Sequence, residues 1–430
     1  MERGVAMRWF ILILMFFGAM ISFADKSIGG LAAVPIMEEF NLSYVEWGLV
    51  GSCYYWLYPV TGPFGASWAD RIGPKKVLGF LMISWSILQF GVLAIAALPF
   101  LLLYRVLLGA FGGPYSPIAY SHLDKWFAKE KGLSNSAIVG GGTIGAMVIA
   151  PVLVSLITIF GWKVAFAFLG VVSLIWFFLF QFFTKESPIA VYKNEGKKQR
   201  GKLEKFNLKD FVSLMIRPTP LFTVLAYASV YMLIIWFTIW CPIYLVEVVQ
   251  LSAAQMGYSI ATIGIASIVI YTGVSMISDY LFKKNQDWRI SRIYVVTVSM
   301  AIGALFLASI IIFPNPIWVV SALCLSISLT YAILVIAPTI MINEKHESGG
   351  LMSSMLTSFG SLAGIVAPVL TGYIISLAAG DKIAGYNFSV LFMAALVLTF
   401  GIIFGIFVKP VLSRDKIEKK NISNEVDLVN

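Results

Sequence analysis

The stretch Gly65-Ala66-Ser67-Trp68-Ala69-Asp70-Arg71-Ile72-Gly73-Pro74-Lys75-Lys76 ends one apolar segment and leads into the next. Gly65 has no side chain, so it lets two helices approach closely. Asp70 is placed to accept hydrogen bonds from the N-terminus of a neighbouring helix, where a carboxylate is favoured. The cationic side chains that follow favour the cytoplasmic side of a membrane. The stretch therefore predicts a tight, charged cytoplasmic turn between two membrane-spanning helices.

The composition around this turn is that of a membrane protein. Of 430 residues, 59% are hydrophobic and 12% are charged, whereas a soluble domain carries about 25% charged residues. Runs of 18 or more apolar residues predict spanning helices. We predict an all-α polytopic membrane protein with twelve such helices, over residues 9–37, 45–68, 77–97, 99–121, 134–159, 162–184, 219–246, 254–282, 291–313, 315–342, 349–377 and 385–409.

The distribution of positive charge predicts the orientation of the chain. With the N-terminus in the cytoplasm, and with residues at span ends counted with the adjoining loops, 27 of the 31 Lys and Arg residues fall in cytoplasmic segments, two fall outside and two lie deep within spans. Positive residues accumulate on the cytoplasmic side of membrane proteins. We therefore expect both termini inside, in a bacterial cytoplasmic (inner) membrane, and we do not expect nucleic-acid binding from the net charge of +9.

The chain divides into two halves that resemble each other locally. Ala150-Pro151-Val152-Leu153 ends the fifth span, and Ala367-Pro368-Val369-Leu370 ends the eleventh. Internal repeats of this kind are typical of alternating-access transporters. We predict two six-helix bundles, 1–184 and 219–409, with a cytoplasmic linker at 185–218 and a cytoplasmic tail at 410–430.

Three ionisable residues interrupt the apolar spans: Asp25 and Lys26 in the first and Arg105 in the fourth. A charge at bilayer depth costs about 2.5–3.5 kcal/mol on insertion scales, so such residues usually mark a pathway for ions or solutes. Adjacent residues on a helix point about 100° apart. Asp25 and Lys26 therefore need not pair, and one can face the fourth span while the other faces a cavity. For each of the three charges, a static ion pair that ties spans together remains the structural alternative.

The spacing G-x4-D-R-x-G-x-[KR]-[KR] from Gly65 to Lys76, together with twelve spans and a long central loop, resembles the major facilitator superfamily. In that superfamily this loop acts as a conformational latch. The resemblance therefore implies gating roles for Gly65, Asp70, Arg71 and Gly73.

A narrower resemblance rests on Phe23-Ala24-Asp25-Lys26 in span one, Tyr58 in span two and Arg105-Val106-Leu107-Leu108-Gly109 in span four. These resemble the anion:cation symporter family, which includes D-galactonate and hexuronate transporters. The resemblance implies that Asp25 takes part in proton coupling together with Arg105, and that Tyr58 lines the substrate cavity. Lys26 stands where the family usually has arginine and would bind the carboxylate.

Two positions depart from the family pattern. Gly112 stands where the bacterial symporters carry a buried glutamate, and Ser361 stands in place of an asparagine that contacts substrate. We also expect four residues to be candidates for the substrate cavity: Tyr54, Trp236, Ser358 and Ser361 itself. The missing glutamate leaves two modes of transport open, with and without proton coupling.

These observations predict a secondary transporter, not an enzyme, that imports a small organic anion such as a sugar acid with protons. The alternatives are an anion exchanger or facilitator without proton coupling, and efflux of amphipathic compounds. The sequence contains no phosphate-binding loop, catalytic constellation or metal-ligand spacing, so we expect no cofactor and no metal. The expected partners are the anion, the proton and the lipid bilayer, and the expected state is a monomer.

Overall fold

The computed structural model describes residues 2–127, 130–184, 213, 215–344 and 349–409. The helices in these ranges are α1 (Glu2–Leu31), α2 (Ala33–Phe40), α3 (Tyr44–Ile72), α4 (Pro74–Gly91), α5 (Leu98–Gly112), α6 (Tyr115–Trp126), α7 (Lys131–Thr143), α8 (Ala150–Phe160), α9 (Trp162–Phe183), α10 (Pro218–Ile239), α11 (Cys241–Glu247), α12 (Ala253–Asn285), α13 (Val295–Ile312), α14 (Pro316–Thr330), α15 (Ala332–Glu344), α16 (Gly349–Ser376) and α17 (Lys382–Phe407). Short π-helical turns precede α8, at Ile144–Val148, and α13, at Arg289–Tyr294.

Within the described ranges, ten stretches of helix are long and apolar enough to cross a membrane, and the bent pair formed by Leu133–Val148 and Ala150–Phe160 makes an eleventh. The remaining predicted span is α3, a 29-residue helix. At 1.5 Å per residue it is about 43 Å long, which exceeds the hydrocarbon thickness. The prediction of an all-α polytopic protein with the twelve-span architecture is therefore confirmed.

Several spans that the sequence predicts as single helices are broken. The first is divided at Ala32 between α1 and α2, and the fourth is divided between α5 and α6 where Pro114 follows Gly113. Proline removes a backbone donor and clashes with the preceding turn. Pro151 and Pro242 lie in the first turns of α8 and α11, so they begin a new helix after each break.

The N-terminal end of α1 and the C-terminal end of α17 lie at the same membrane face, because an even number of spans separates them. We call this the terminal face and the other the opposite face. Helix α3 thus begins at the opposite face with Tyr44 and ends at the terminal face with Ile72.

The same packing pattern occurs in both halves of the chain. In the first half α1 packs on α7, α3 on α5 and α4 on α9; in the second half the corresponding pairs are α10 with α16, α12 with α14 and α13 with α17. The two main contacts between the halves, α3 with α16 and α8 with α12, also correspond to each other under this repeat. The packing confirms the predicted pseudo-repeat.

Close backbone contacts join the two halves near the opposite face. A Cβ atom on Gly48 would lie 2.5 Å from the Pro368 carbonyl oxygen, and one on Gly372 would lie 2.3 Å from the Tyr44 carbonyl oxygen. Helices α6, α7 and α15, which lie near the terminal face, pack chiefly within their own halves. The halves therefore meet and close the space between them at the opposite face, whereas α6, α7 and α15 add little to their contact near the terminal face.

Tyr44 joins the halves at the closed face. Its hydroxyl donates to Glu247 Oε2 at 2.9 Å, and Glu247 Oε1 lies 3.4 Å from the Lys382 ammonium. The Tyr44 ring packs against Trp240 and Tyr386, with centroids 6.2 and 5.8 Å away. A side chain of the first half is thus held by polar and aromatic groups of the second.

Most of the predicted linker at 185–218 and the predicted tail at 410–430 lie outside the described residues. The division into two bundles at 1–184 and 219–409 remains a prediction.

Candidate functional site

Asp25 and Lys26 point to different neighbours from adjacent positions on α1. Asp25 is 2% exposed, and its Oδ1 accepts a hydrogen bond of 2.6 Å from Gln89 Nε2 on α4. The Gln89 side chain in turn accepts a hydrogen bond of 2.9 Å from the Tyr104 hydroxyl on α5. Within the described residues Asp25 Oδ2 is buried without a hydrogen-bond partner. One carboxylate oxygen is therefore fixed, and the other is left without a partner.

The Lys26 ammonium lies among four aromatic rings, which we call the Lys26 cage. The distances from Nζ to the ring centroids are 5.0 to 5.8 Å, to Phe23, Tyr54, Tyr55 and Tyr58. Cations within about 6 Å of a ring centroid are stabilised by the ring quadrupole. In the part of the chain that the structure describes, no carboxylate lies within 4 Å of Nζ. Lys26 is half-buried, and its ammonium carries three N–H donors that an anion could accept.

Arg105 lies against the same face of α1 as Asp25. A Cβ atom on Gly29, one helical turn beyond Asp25, would lie 1.5 Å from an Arg105 terminal nitrogen. Arg105 is 5% exposed. Among the described residues it forms no ion pair with Asp25 within 4 Å. The guanidinium thus adds positive charge near the carboxylate without being bonded to it, which argues against the static pair.

The structure gives a physical reason for the glycine at position 112. A Cβ atom there would lie 2.7 Å from the Tyr54 hydroxyl oxygen and 3.7 Å from the Tyr58 ring. The tyrosines of the Lys26 cage occupy the volume that a larger residue would need. A glutamate at this position therefore requires Tyr54 to move.

The other residues that were predicted to line the substrate cavity, Ser358, Ser361 and Trp236, lie in the second half of the chain and differ in exposure. Ser358 is exposed, and Ser361 is 3% exposed with its hydroxyl donating to the Ser358 carbonyl oxygen. Trp236 is 1% exposed, and its indole N–H donates to Ser389 on α17 at 3.2 Å. The packing thus directs Trp236 into the second half and away from the Lys26 cage, and we leave it out of the proposed site.

The predicted gating residues lie together at the terminal face. A Cβ atom on Gly65 would lie 2.3 Å from the Pro114 side chain, so α3 and α6 are in close contact there. Gly73 has φ 101°, a conformation that glycine adopts without strain, and it forms the turn into α4. Asp70 and Arg71 are exposed. Asp70 and Arg71 lie in the last turn of α3, next to Gly73, and Gly65 lies about two helical turns before the end of α3. Their gating role remains a prediction.

Sequence reasoning missed three members of the site. Gln89 and Tyr104 connect α4 and α5 to Asp25, and Tyr55 completes the Lys26 cage. Gln89 is a polar residue in an apolar span and is 0% exposed. A search for uncharged polar residues in spans, in addition to charged ones, would have found it.

An apolar cavity of about 210 Å³ lies between the halves at the opposite face, lined by Gly30, Val34, Val154, Pro242 and Met256 among others. Its lining includes no charged residue. It is therefore distinct from the charged site.

The fold and the site define a polytopic membrane carrier with a charged centre between two halves. The chain belongs to the Major Facilitator Superfamily, whose family model matches residues 15–368. It is a membrane transporter and not an enzyme.

The chain is similar to two transporters in sequence and to a solved transporter structure in fold. The hexuronate transporter of Bacillus subtilis (strain 168) is 25% identical over 94% of this chain and 95% of that protein. The probable sulfoacetate transporter of Cupriavidus necator is 27% identical over 98% of each. The inward-facing, occupied crystal structure of a bacterial homologue of the human lysosomal transporter Spinster has a TM-score of 0.76 at 17% identity, over 94% of this chain and 97% of that one.

Proposed function

We propose that this chain is a secondary active transporter that imports a small organic anion together with protons by alternating access. The observation that carries the proposal is the Lys26 cage, in which an ammonium has aromatic neighbours and no carboxylate partner among the described residues. The two relatives named above are transporters of a hexuronate and, by its name, of sulfoacetate, both organic anions. Sugar acids and related carboxylates are therefore the first solutes to test.

Lys26 is the proposed anion-binding residue. Its ammonium is a compact charge with three donors, and the cage limits the directions from which an anion can approach. Tyr54 and Tyr58 lie beside the approach, with their ring centroids 5.8 and 5.3 Å from the ammonium. We propose that Ser358, which is exposed on α16, contributes from the second half.

Asp25 is the proposed proton carrier. Its Oδ1 is held by Gln89, so Oδ2 is the oxygen on which a proton would reside. A buried carboxylate oxygen without a partner carries a large desolvation cost that protonation removes. Binding of a proton at Asp25 leaves the positive charges of Lys26 and Arg105 less compensated, so it favours binding of an anion. By linkage, the anion favours binding of the proton to the same extent.

Alternating access in this proposal is a relative movement of the bundles 1–184 and 219–409 about the site. The Asp70–Arg71 turn acts as the latch at the terminal face. We propose that the terminal face is cytoplasmic, in a bacterial inner membrane, and that the working unit is a monomer. The arrangement of the halves then corresponds to an inward-open state.

The test is uptake of a panel of sugar acids and related carboxylates by the purified protein in liposomes, with and without an inward proton gradient. We expect accumulation that depends on the gradient. Lys26→Met should raise the concentration for half-maximal uptake at least tenfold, while Lys163→Met, which removes a surface lysine, should not. An unchanged affinity in Lys26→Met would refute the assignment of the anion site.

Asp25→Asn separates coupling from binding. The amide can still accept the Gln89 hydrogen bond, so we expect exchange of anion across the membrane to persist while gradient-driven accumulation is lost. Asp279→Asn, which removes a carboxylate paired with Arg292 at 2.6 Å outside the site, should retain accumulation. Accumulation that survives Asp25→Asn would contradict the coupling role.

A second candidate function is exchange or facilitated diffusion of the anion without protons. The observation that favours it is Gly112, since Tyr54 occupies the space that a second carboxylate would need. Uptake that is stimulated by anion loaded inside and is insensitive to the proton gradient in the unmodified protein would support it.

A further inference from the structure

Among its described residues, the second half of the chain offers a solute no charge and no amide deep within the membrane. The described acidic, basic and amide side chains between 218 and 407 lie near the ends of spans or in loops, as do Glu247, Asp279 and Asn387. The interior of this half contains aliphatic, aromatic and hydroxyl side chains. Any hydrogen bond that it donates to a solute must therefore come from a hydroxyl, from an indole N–H or from the backbone. The indole N–H of Trp236 already donates to Ser389, and Trp240 is 0% exposed.

The serine and threonine hydroxyls of α10 and α16 are largely used within their own helices. Ser361 Oγ donates to the Ser358 carbonyl oxygen, Thr238 Oγ1 donates to that of Ile234, and Ser229 Oγ donates to that of Ala226. Such hydroxyls bond to carbonyls of the preceding turn and are not free to donate elsewhere. Tyrosine hydroxyls are the main donors that remain.

Tyrosine rings of both halves meet over a glycine face of α16. A Cβ atom on Gly364 would lie 2.3 Å from the Tyr55 ring, and one on Gly360, a turn away, would lie 2.7 Å from Tyr227 and 3.3 Å from Tyr231. The Tyr227 and Tyr231 rings are stacked, with centroids 6.2 Å apart and an interplanar angle of 17°. Because Tyr55 also belongs to the Lys26 cage, these rings continue the aromatic surface from Lys26 into the second half.

We propose that the transported anion is a monocarboxylate with a flat, apolar or aromatic body, in preference to a polyhydroxylated sugar acid. The inference rests on the proposed function, because it takes Lys26 as the site of the carboxylate. A body attached to that carboxylate lies against ring faces, where flat apolar groups pack well. The hydroxyls of a sugar acid would lose water and find few partners there, and an unsatisfied polar group is costly to bury.

The experiment compares binding of two acids to the purified full-length protein by thermal unfolding. Phenylacetate and glucuronate each carry one carboxylate, so the contribution of Lys26 is shared and the bodies differ. We expect the Kd of phenylacetate to be at least about tenfold lower, which corresponds to 1.4 kcal/mol. Cyclohexylacetate, which is apolar but not flat, should bind between the two.

Variants of Tyr231 test the origin of the preference. Tyr231→Phe keeps the ring and should weaken phenylacetate less than Tyr231→Leu does, while Tyr231→Leu should reduce the tenfold preference to below about threefold. Tyr258→Leu, a tyrosine that is 65% exposed on α12, is the matched control and should keep the preference. A preference that is unchanged in Tyr231→Leu would overturn the assignment to this surface.

The remaining outcomes are also decisive. If the two acids bind with equal affinity, or glucuronate binds more tightly, the inference is overturned. If Lys26→Met also abolishes binding of both acids in that case, the proposed function still stands. If no carboxylate in the panel stabilises the protein and none is taken up by liposomes, the proposed function fails and this inference fails with it.

Discussion

Substitution of Tyr44 should release the closed face of the molecule. In Tyr44→Phe the ring still packs against Trp240 and Tyr386, but the 2.9 Å hydrogen bond to Glu247 is lost. Hydrogen bonds to charged groups contribute about 1.5–3 kcal/mol. Since Tyr44 is only half-buried and the Glu247 side chain is 20% exposed, the low end, about 1.5 kcal/mol, is appropriate. That corresponds to about a tenfold shift toward the state that is open at the opposite face.

The assay is thiol labelling at position 239. The Ile239 side chain packs across the halves against Gly51, so a cysteine there is covered while the face is closed. In a background with Cys53, Cys241 and Cys324 replaced, Ile239→Cys should react about tenfold faster after Tyr44→Phe. Glu247→Gln should give a smaller increase, because the amide oxygen still accepts the hydrogen bond.

Two results would refute this reasoning. One is a labelling rate that Tyr44→Phe leaves unchanged. The other is strict additivity in the double variant with Glu247→Ala, because two residues that act through one hydrogen bond should show a coupling energy.

Two further predictions concern the positioning of Arg105 and the opposite-face surface. Gly29→Ala should lower the Tm and abolish uptake, because its Cβ would overlap the Arg105 guanidinium and overpacking costs about 1–3 kcal/mol. Gly91→Ala is the control, because the space around Gly91 is open. Equal effects of the two substitutions would contradict the argument. Partial burial raises the pKa of Glu39, but hydrogen bonds from Lys163 and Trp162 outweigh it and hold that pKa below its usual value. The interaction should therefore stabilise the fold at neutral pH and be lost as the pH falls below about 4. Glu39→Gln should cost no more than about 1 kcal/mol, since the pair is exposed, and a cost that did not diminish in acid would contradict the ionic interpretation.

The sequence predicts the spans well, because long apolar runs are a strong local signal. Charged residues in apolar segments singled out Asp25, Lys26 and Arg105, whose roles stay predictions, and helix geometry allowed the first two to diverge, as they do. Helix breaks were harder to predict. A proline such as Pro114 coincides with a break, whereas Pro59 lies inside the continuous helix α3, so the tertiary packing decides.

Contacts between distant segments were beyond prediction from one sequence. Gln89 is 64 residues from Asp25, and Tyr44 is 203 residues from Glu247. Trp236 was expected to line the cavity because aromatic residues are common in such sites. In the structure its indole N–H points to Ser389 instead. Helix α10 is buried around much of its circumference and has low amphipathicity, so its sequence does not show which face lines a cavity.

The absence of charged residues from the membrane interior of the second half, among the residues that the structure describes, has an electrical consequence. Asp25, Lys26 and Arg105 all belong to the first half, so in the proposed movement of the two bundles these three charges move together. Moving one elementary charge through the full membrane potential involves about 2.3 kcal/mol per 100 mV. Gating currents recorded without solute would therefore report the motion of the first half alone, and the sensitivity of transport to voltage would be set by the charge on that half and on the anion bound to it.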